Sequence, residues 1–403
     1  MRPPEHDARP CAPARPCETA RPAQTVQTGA RGVLVAAFVV VAATLAAHWA
    51  ALGADFVFDD RIAIVRGESS IDALWPPSEW MLGTQRPLVQ LTLAANHAFG
   101  ALDPAGYHAF NLAVHALTAL HVLLVVVEGA RVLRARGAVA LEGRRATLVA
   151  ASAALLWSLH PATTAASTYV VQRAESMAAG FSLVAVLALL RGARAVRPRA
   201  WRALAVACVP LALLSKPTAV SLPALLLAVD ALVVGGGVGS ALRRGRGLHL
   251  AAWASLGVLA LTGVVQGIFV GTGRMSGGGV GVATGLLPYW LLEVRALGVY
   301  AATIVDPSRL SIDHGVAALA PAWTAVVGAS VLAALVALLG AARRRWWAVV
   351  PAAILLLLAP TSLVPLADPV ADQRLYLPLV AATVGIVAAA ASFAARSQAR
   401  AAG

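Results

Sequence analysis

The segment GVLVAAFVVVAATLAAHWAAL (residues 32–52) contains no Asp, Glu, Lys or Arg, and GADFVFDD (residues 53–60) follows it with two adjacent aspartates at its end. An uncharged run of this length spans the hydrocarbon core of a bilayer as a helix. The sequence therefore predicts an all-α polytopic integral membrane protein with about ten transmembrane helices of about 20 residues each. The other apolar runs lie near residues 110–130, 146–160, 176–190, 203–215, 218–234, 249–270, 322–342, 346–363 and 375–394.

The composition agrees with a membrane protein. Of the 403 residues, 59% are hydrophobic and only 13% are charged, and the mean hydropathy is +0.75. Because an ordinary soluble domain carries about 25% charged residues, these values exclude a soluble multidomain enzyme. The formal net charge of +13 would suggest nucleic-acid binding in a soluble protein. Here the arginines lie in short segments between apolar runs, so membrane topology accounts for them and no nucleic-acid partner is expected.

The chain divides into two tails and one membrane domain. Residues 1–30 are rich in Pro, Ala and Arg, which predicts a disordered cytoplasmic tail. Residues 31–396 form the predicted multispan domain, and residues 397–403 form a second cytoplasmic tail. Small residues near Ala46 and Ala47 resemble a signal-peptide cleavage site, but the length of the first run favours an uncleaved anchor. The three cysteines do not indicate a disulfide framework or a CxxC metal site.

The distribution of arginine predicts the orientation, because short cytoplasmic loops accumulate Arg and Lys. Arginine clusters stand in the N-terminal tail and after the second, fourth, sixth and eighth runs. This parity holds only if the run near residues 287–305, interrupted by Glu293 and Arg295, does not cross the membrane. We expect that run to be re-entrant or to lie along the outer interface. Both termini are then cytoplasmic, the protein lies in the cell (plasma or inner) membrane, and residues 53–109 form the first extracytoplasmic loop.

The acidic pair Asp59-Asp60 is the sharpest local motif. Two adjacent carboxylates at an interface repel each other, and a raised pKa on one of them suits a general base. The alternative is a turn or helix N-cap that uses aspartate. Outer-face arginines run against the usual topology and indicate either a polar anion site or local ion pairs. The only lysine, Lys216, would pair with an anion or extend towards the interface.

A polar stripe is predicted at the start of the second run. His108, Asn111 and His115 are spaced i, i+3 and i+7, so they share one face of a helix. Such a stripe either forms hydrogen bonds between helices or lines a pocket. A zinc site is a weaker alternative, because no HExxH motif or cysteine cluster accompanies these residues.

Six segments of the sequence carry a family resemblance: FVFDDRIAIVRG from Phe56, QRPLVQLTLAANHAFGALDPAGYHAFNLAVHAL from Gln85, LLWSLHPATTAASTYVVQRAESMA from Leu155, LLSKPTAVSLPALLLAVD from Leu213, RALGVYAATIVDPSRLSIDHG from Arg295 and APTSLVPLADPVADQRLYLPL from Ala359. In this order they resemble the bacterial relatives of the transmembrane and tetratricopeptide-repeat-containing O-mannosyltransferase family. Two departures from that family are visible: Ala165 stands where Glu or Gln is frequent, and the 403 residues contain no tetratricopeptide repeats.

The resemblance implies a GT-C glycosyltransferase fold. It also implies inverting sugar transfer from a polyprenyl-phosphate carrier, at the extracytoplasmic face, to a hydroxyl of a protein Ser or Thr, a lipid or an envelope glycan. Mannose is the best-known sugar of the family. By analogy Asp59 is the base and Asp60 orients or binds the acceptor, and a divalent metal (Mg or Mn) at this pair is left open.

The resemblance also suggests substrate-binding residues, because positive side chains stabilise a phosphate leaving group. The best candidates for the phosphate are Arg86, Arg173 and Arg374, followed by Arg309 and Lys216. Candidates for sugar hydroxyls or a phosphate oxygen are His108, Asn111 and His160.

A transporter and a non-catalytic scaffold are the two alternatives to an enzyme. A transporter or flippase for a lipid-linked sugar predicts charges deep in the membrane and often an inverted repeat. No internal repeat is visible, and the charges gather at one face, which favours the enzyme. A non-catalytic membrane scaffold is the third class, and the presence of Asp59, Asp60, Arg173 and Arg374 argues against it.

Overall fold

The computed structural model describes residues 23–66, 71–72, 74–75, 84, 86–261, 285–343, 345–366 and 368–402. Within these ranges the regular elements are helical and no strand is present. Thirteen helices have eight or more residues. They are α1 (Ala23–His48), α2 (Pro87–Gly100), α3 (Pro104–Ala135), α4 (Gly143–Ser158), α5 (Arg173–Arg194), α6 (Pro198–Ser215), α7 (Leu222–Val229), α8 (Gly237–Arg244), α9 (Arg246–Leu261), α10 (Leu286–Val305), α11 (Ala322–Ala342), α12 (Val349–Leu363) and α13 (Tyr376–Ala402).

Seven stretches among the described residues are long and apolar enough to cross a membrane. They contain α1, α3, α5, α7, α11, α12 and α13, together with adjoining turns. The shorter helices α4, α6 and α9 coincide with three further predicted apolar runs, the last of which extends beyond the described residues. The prediction of a polytopic helical membrane protein is confirmed, whereas the number of about ten crossings stays a prediction.

Several helix boundaries follow from local sequence. Helices α2, α3 and α6 each begin with proline, whose missing N–H is not needed in the first turn. The carboxylate of Asp103 accepts a hydrogen bond from the Ala105 amide and so caps α3. Helix α6 ends at Ser215, and Pro217 begins the turn that leads to α7.

The structure extends the predicted boundaries at both ends. Helix α1 begins at Ala23, within the segment predicted as a tail, and residues 1–22 lie outside the described residues. Helix α13 continues to Ala402. Apolar composition marks the part of a helix that crosses a membrane, but the backbone hydrogen bonds continue into polar residues with adequate helix propensity. Helix α2 lies within residues 53–109, the predicted first extracytoplasmic loop.

Helices α3 and α5 form the centre of the bundle, because both contribute to its two main hydrophobic clusters. The first cluster also takes side chains from α1, α4, α10 and α13. The second also takes side chains from α6, α7 and α9. Many members of both clusters are alanines, and small residues allow helices in a membrane to approach closely.

Helix α10 lies across the ends of other helices. Near its start, the Tyr289 hydroxyl donates a hydrogen bond to the main chain at the end of α12. In its middle, Arg295 donates to the main chain just before α11. Near its end, the Ile304 carbonyl accepts a hydrogen bond from His160, just after α4. The predicted topology puts these three positions on the outer side, so the contacts favour an unbroken interfacial helix over a re-entrant one.

Two glycines allow α10 and α11 to cross in contact. A Cβ on Gly328 of α11 would overlap the carbonyl oxygen of Val294, and a Cβ on Gly298 of α10 would overlap the carbonyl oxygen of Thr324. Any larger side chain at either position must therefore push the two helices apart.

We expect Gly328→Val to lower the free energy of unfolding by about 2 kcal/mol, because overpacking at a tight contact forces the backbones apart. Thermal unfolding of the purified protein in detergent measures the effect. Gly340→Val is the matched control, since Gly340 lies on the same helix with no atom near its Cβ position. Equal losses in the two variants would contradict the close crossing.

Candidate active site

Asp60 is the buried member of the acidic pair. Its side chain is 0% exposed, and Oδ1 accepts a hydrogen bond from the Val171 amide at 2.8 Å. Oδ2 accepts from the Val170 and Val57 amides, each at 3.3 Å. Burial raises the pKa of the Asp60 carboxyl to about 6, although the three amides and the charge of Arg173 each lower it. The carboxylate thus joins the loop after α1 to the turn before α5.

Asp59 is the exposed member. Its backbone N–H donates a hydrogen bond to the hydroxyl oxygen of Tyr169 at 2.9 Å. Phe58, just before it, has a φ of 48°, a left-handed conformation that is uncommon for a residue with a side chain. Burial raises the pKa of Tyr169, and the charges of Asp59 and Asp60 raise it further. Tyr169 therefore stays a protonated phenol beside Asp59.

The acidic pair does not offer two free carboxylates to a metal ion. Both oxygens of Asp60 accept hydrogen bonds from amides, which leaves Asp59 alone. Among the described residues, no group of three or more His, Cys, Asp or Glu side chains is placed to hold a metal. The divalent ion that the sequence left open therefore stays open, with Asp59 as the exposed carboxylate of the pair.

Arg86 lies near Asp59, and both Arg86 and Arg374 lie near Lys216. The ammonium group of Lys216, in the turn between α6 and α7, lies 2.5 Å from the Glu175 carboxylate, and both side chains are nearly buried. Burial lowers the pKa of Lys216 to about 8; Glu175 raises it, and the charges of Arg86 and Arg374 lower it. The two guanidinium groups are thus close enough to Lys216 to repel it.

Arg86 and Arg374 are held by different contacts. Arg86 precedes α2; burial lowers its pKa, while the charges of Glu175 and Asp59 raise it. The guanidinium group of Arg374 donates hydrogen bonds to the carbonyl oxygens of residues 368 and 369. Its side chain also lines a cavity between α5, α7, α12 and α13, as does that of Glu175.

Arg173 does not face this cluster. It is fully buried, and its guanidinium group donates to Asn96 Oδ1 at 2.7 Å and to the Tyr107 carbonyl oxygen at 3.1 Å. The group also lies 4.6 Å from the centre of the Phe110 ring. These contacts fasten α5 to α2 and α3. Arg173 therefore holds the helices that carry the site and has little access to a substrate phosphate.

The predicted polar stripe on α3 is confirmed as one buried face. His108, Asn111 and His115 are each at most 2% exposed. The amide nitrogen of Asn111 donates to the carbonyl oxygens of Tyr169 and Val170, each at 3.3 Å. Asn111 thus supports the turn that also binds Asp60, and its amide nitrogen serves the packing of helices.

Two other predicted residues have protein partners. The Nδ1 of His160 accepts a hydrogen bond from the Ala162 amide, and its Nε2 donates to the carbonyl oxygen of Ile304. Both ring nitrogens are therefore occupied. Arg309 pairs with Asp306 at 3.0 Å, and its side chain is half exposed. Neither contact brings these residues to Asp59.

Glu175 and Tyr169 are site residues that the sequence did not single out. Glu175 stands in the first turn of α5, where the helix dipole stabilises a carboxylate. The position of Glu175, two residues after Arg173 and at the start of a predicted apolar run, could have indicated a site residue. Tyr169 lies in a quoted segment, but its contact with Asp59 joins residues 110 positions apart, and no local pattern shows such a contact.

Parts of the chain are similar to animal proteins named protein O-mannosyl-transferases. Human protein O-mannosyl-transferase TMTC4 is 29% identical over 205 residues, which cover 45% of this chain and 27% of that protein. Human TMTC3 is 29% identical over 168 residues, covering 38% and 16%. Drosophila melanogaster Tmtc1 is 32% identical over 153 residues, covering 35% and 16%.

The chain therefore spans less than a third of the length of these curated relatives. No family model matches it, and no solved structure matches it. The partial similarities support a relation to the protein O-mannosyl-transferases. Together with the apolar helices, they agree with a multi-pass membrane protein.

We expect Asp60→Asn to loosen the loop at residues 54–66. The Asp60 carboxylate accepts hydrogen bonds from three backbone amides, whereas the NH₂ group of an asparagine is a donor and cannot accept them. Leaving a buried donor unpaired costs about 1–3 kcal/mol. Limited trypsin digestion, read at Arg61, measures the loosening. Asp59→Asn is the control, since the Asp59 side chain is exposed. Equal protection of Arg61 in both variants would contradict the role of Asp60.

Proposed function

We propose that this protein is a membrane glycosyltransferase with a GT-C-type fold that transfers a sugar from a polyprenyl-phosphate carrier. The acceptor is a hydroxyl group of a protein Ser or Thr, a lipid or an envelope glycan, at the extracytoplasmic face. Mannose is the first sugar to test, because the relatives are named O-mannosyl-transferases. The observation that carries the proposal is the exposed carboxylate of Asp59 near the charge of Arg86, which together with Arg374 also lies near Lys216.

The cations suit a phosphate leaving group. As the bond between sugar and phosphate breaks, negative charge accumulates on the phosphate, and fixed positive groups stabilise it. Arg86, Lys216 and Arg374 supply three positive charges, which two carboxylates offset in part: Glu175 pairs with Lys216, and Glu293 lies near Arg374. Because both guanidinium groups disfavour the charged form of Lys216, a bound anion would relieve that repulsion.

The neighbouring cavity is lined by both charged and apolar side chains. Glu175 and Arg374 contribute the charged groups, and Leu222, Leu357 and Leu377 contribute apolar ones. Its volume of about 40 Å³ is too small for a prenyl chain, so the choice of a lipid-linked donor rests on the similarity to the O-mannosyl-transferases.

Asp59 would act as the general base. The acceptor hydroxyl passes its proton to the Asp59 carboxylate while its oxygen forms a bond to the anomeric carbon. The bond from that carbon to the phosphate oxygen breaks, and the phosphate leaves with the electron pair. Attack opposite to the leaving group inverts the anomeric carbon. The hydrogen bond from the Asp59 amide to Tyr169 holds the base in position, and Asp60 fixes the loop that carries it.

Transfer from radiolabelled polyprenyl-phosphate sugars in membranes tests the proposal. We expect Asp59→Asn to lower the rate about 100-fold or more, because a positioned base contributes about 10²–10⁴-fold. Asp72→Asn is the matched control, since it makes the same change at an exposed acid in the same loop. Normal transfer by Asp59→Asn would remove Asp59 as the base. No transfer with any donor by correctly inserted wild-type protein would favour the transporter or scaffold.

The pH dependence of donor use tests Lys216. Below about pH 8 its ammonium group is charged in the free protein, and above that pH the site loses one positive charge. We therefore expect kcat/KM for the donor to fall as the pH rises through about 8. Lys216→Arg should retain kcat/KM to higher pH, because a guanidinium group stays protonated. An unchanged profile in Lys216→Arg would show that Lys216 does not meet the phosphate.

A further inference from the structure

A second polar cluster lies at the other end of α7. Ser221, which precedes α7, lines the cavity near Glu175, whereas Asp230 follows α7 directly. Asp230 is 3% exposed, and its two oxygens accept hydrogen bonds from Arg244 at 2.5 Å and from His249 Nε2 at 2.9 Å. This carboxylate therefore ties α8 to α9 at the end of the bundle away from Asp59.

A groove lies beside this joint. It has a volume of about 310 Å³, within the size range of small-molecule sites. The last turn of α8 and the first two turns of α9 form its sides. Its lining is Leu242, Arg243, Arg246, His249, Leu250 and Trp253.

Arg243 and Arg246, which line the groove, lack within the described ranges the carboxylate partner that Arg244 has. Arg244 is bound by Asp230, but Arg246 has no hydrogen-bond or ion-pair partner among the described residues. Arg243 makes only a 3.3 Å contact with the Ser240 hydroxyl. Two positive groups at the rim of the groove are thus free to bind an anion.

His249 provides an independent observation. It is 1% exposed, and because a carboxylate only accepts, its Nε2 carries the hydrogen that bonds Asp230. Its Nδ1 is buried and has no protein partner. A buried polar atom without a partner costs free energy, and this ring lines the groove. The groove is therefore lined by a histidine that is held in place by Asp230.

The walls decide the kind of ligand. Leu242, Leu250 and Trp253 are each more than 40% exposed and lie among the charged groups. A small soluble anion would gain nothing from contact with these apolar side chains. A phospholipid has both a charged phosphate and acyl chains that would pack against them. Tryptophan and arginine together are also typical of the membrane interface. The arginine distribution puts this end of the bundle at the cytoplasmic leaflet, where anionic lipids attract basic residues.

We infer that this groove binds an anionic phospholipid. The phosphate lies between Arg243 and Arg246, and the upper acyl chain packs on Leu250 and Trp253. The bound lipid covers the joint between α8 and α9 and stabilises it. This site is separate from the one around Asp59 and does not depend on the proposed transfer reaction.

Native mass spectrometry of the full chain in detergent tests the site, with dioleoyl phosphatidylglycerol as the probe and dioleoyl phosphatidylcholine as the neutral comparison. We expect phosphatidylglycerol to bind more tightly. Arg243→Ala/Arg246→Ala should weaken its binding roughly 30-fold, since each basic residue at a membrane surface contributes roughly fivefold. Arg144→Ala/Arg145→Ala is the matched control, because it removes two exposed arginines from the same end of the bundle.

Three further measurements keep the result clear. Arg243→Lys/Arg246→Lys retains both charges and should retain most of the binding, even if the alanine variant unfolds. Trp253→Ala should weaken phosphatidylglycerol binding, because it removes an apolar side chain that packs against the acyl chain. Inorganic phosphate should not compete at millimolar concentration. Equal binding of the two lipids, an equal loss in the control variant, or displacement by inorganic phosphate would overturn the lipid assignment.

Discussion

The buried carboxylate of Asp60 is the interaction on which the candidate site depends. A charge removed from water is costly unless hydrogen bonds compensate it, and the amides of Val57, Val170 and Val171 supply that compensation. Two of these amides belong to the turn before α5, and one belongs to the loop after α1. The same carboxylate therefore connects two distant parts of the chain and sets the position of the exposed Asp59 between them.

The surroundings of this joint are rigid for related reasons. Arg173 fills the interior next to it and bonds to groups from α2 and α3. Asn111 supports the turn at Tyr169 from another side. Because Arg173 joins α5 to two helices and Asn111 joins α3 to the turn at Tyr169, the loop with Asp59 is held in place. A general base needs such support, since its distance from the acceptor determines the rate.

The two ends of α7 have different chemistry. Near Ser221, Lys216 pairs with Glu175, and Arg86 and Arg374 lie near Lys216. Near Asp230, the carboxylate binds one arginine and one histidine, and the remaining arginines border an apolar groove. The first arrangement suits a phosphate that enters and leaves during a reaction. The second suits a phospholipid that stays bound and holds two helices together.

The sequence alone determined the helical membrane architecture, because uncharged runs of about 20 residues have one stable form in a bilayer. It also determined the helix starts at Pro87 and Pro104 and the shared face of His108, Asn111 and His115, since these depend on local spacing. The adjacency of Asp59 and Asp60 is also a local feature and was read from the sequence. Nothing in the neighbouring residues distinguished one aspartate from the other.

Only the tertiary structure decided which aspartate is buried and which is exposed. The partners of Asp60 include amides that stand 110 and 111 positions away, and periodicity carries no information about such contacts. The same limit explains why Arg173 was expected at a phosphate although it lies in the interior. It also explains why Glu175 was not grouped with Lys216, 41 positions away. A charged residue gains its role from the charges that folding brings to it, and those lie far apart in the chain.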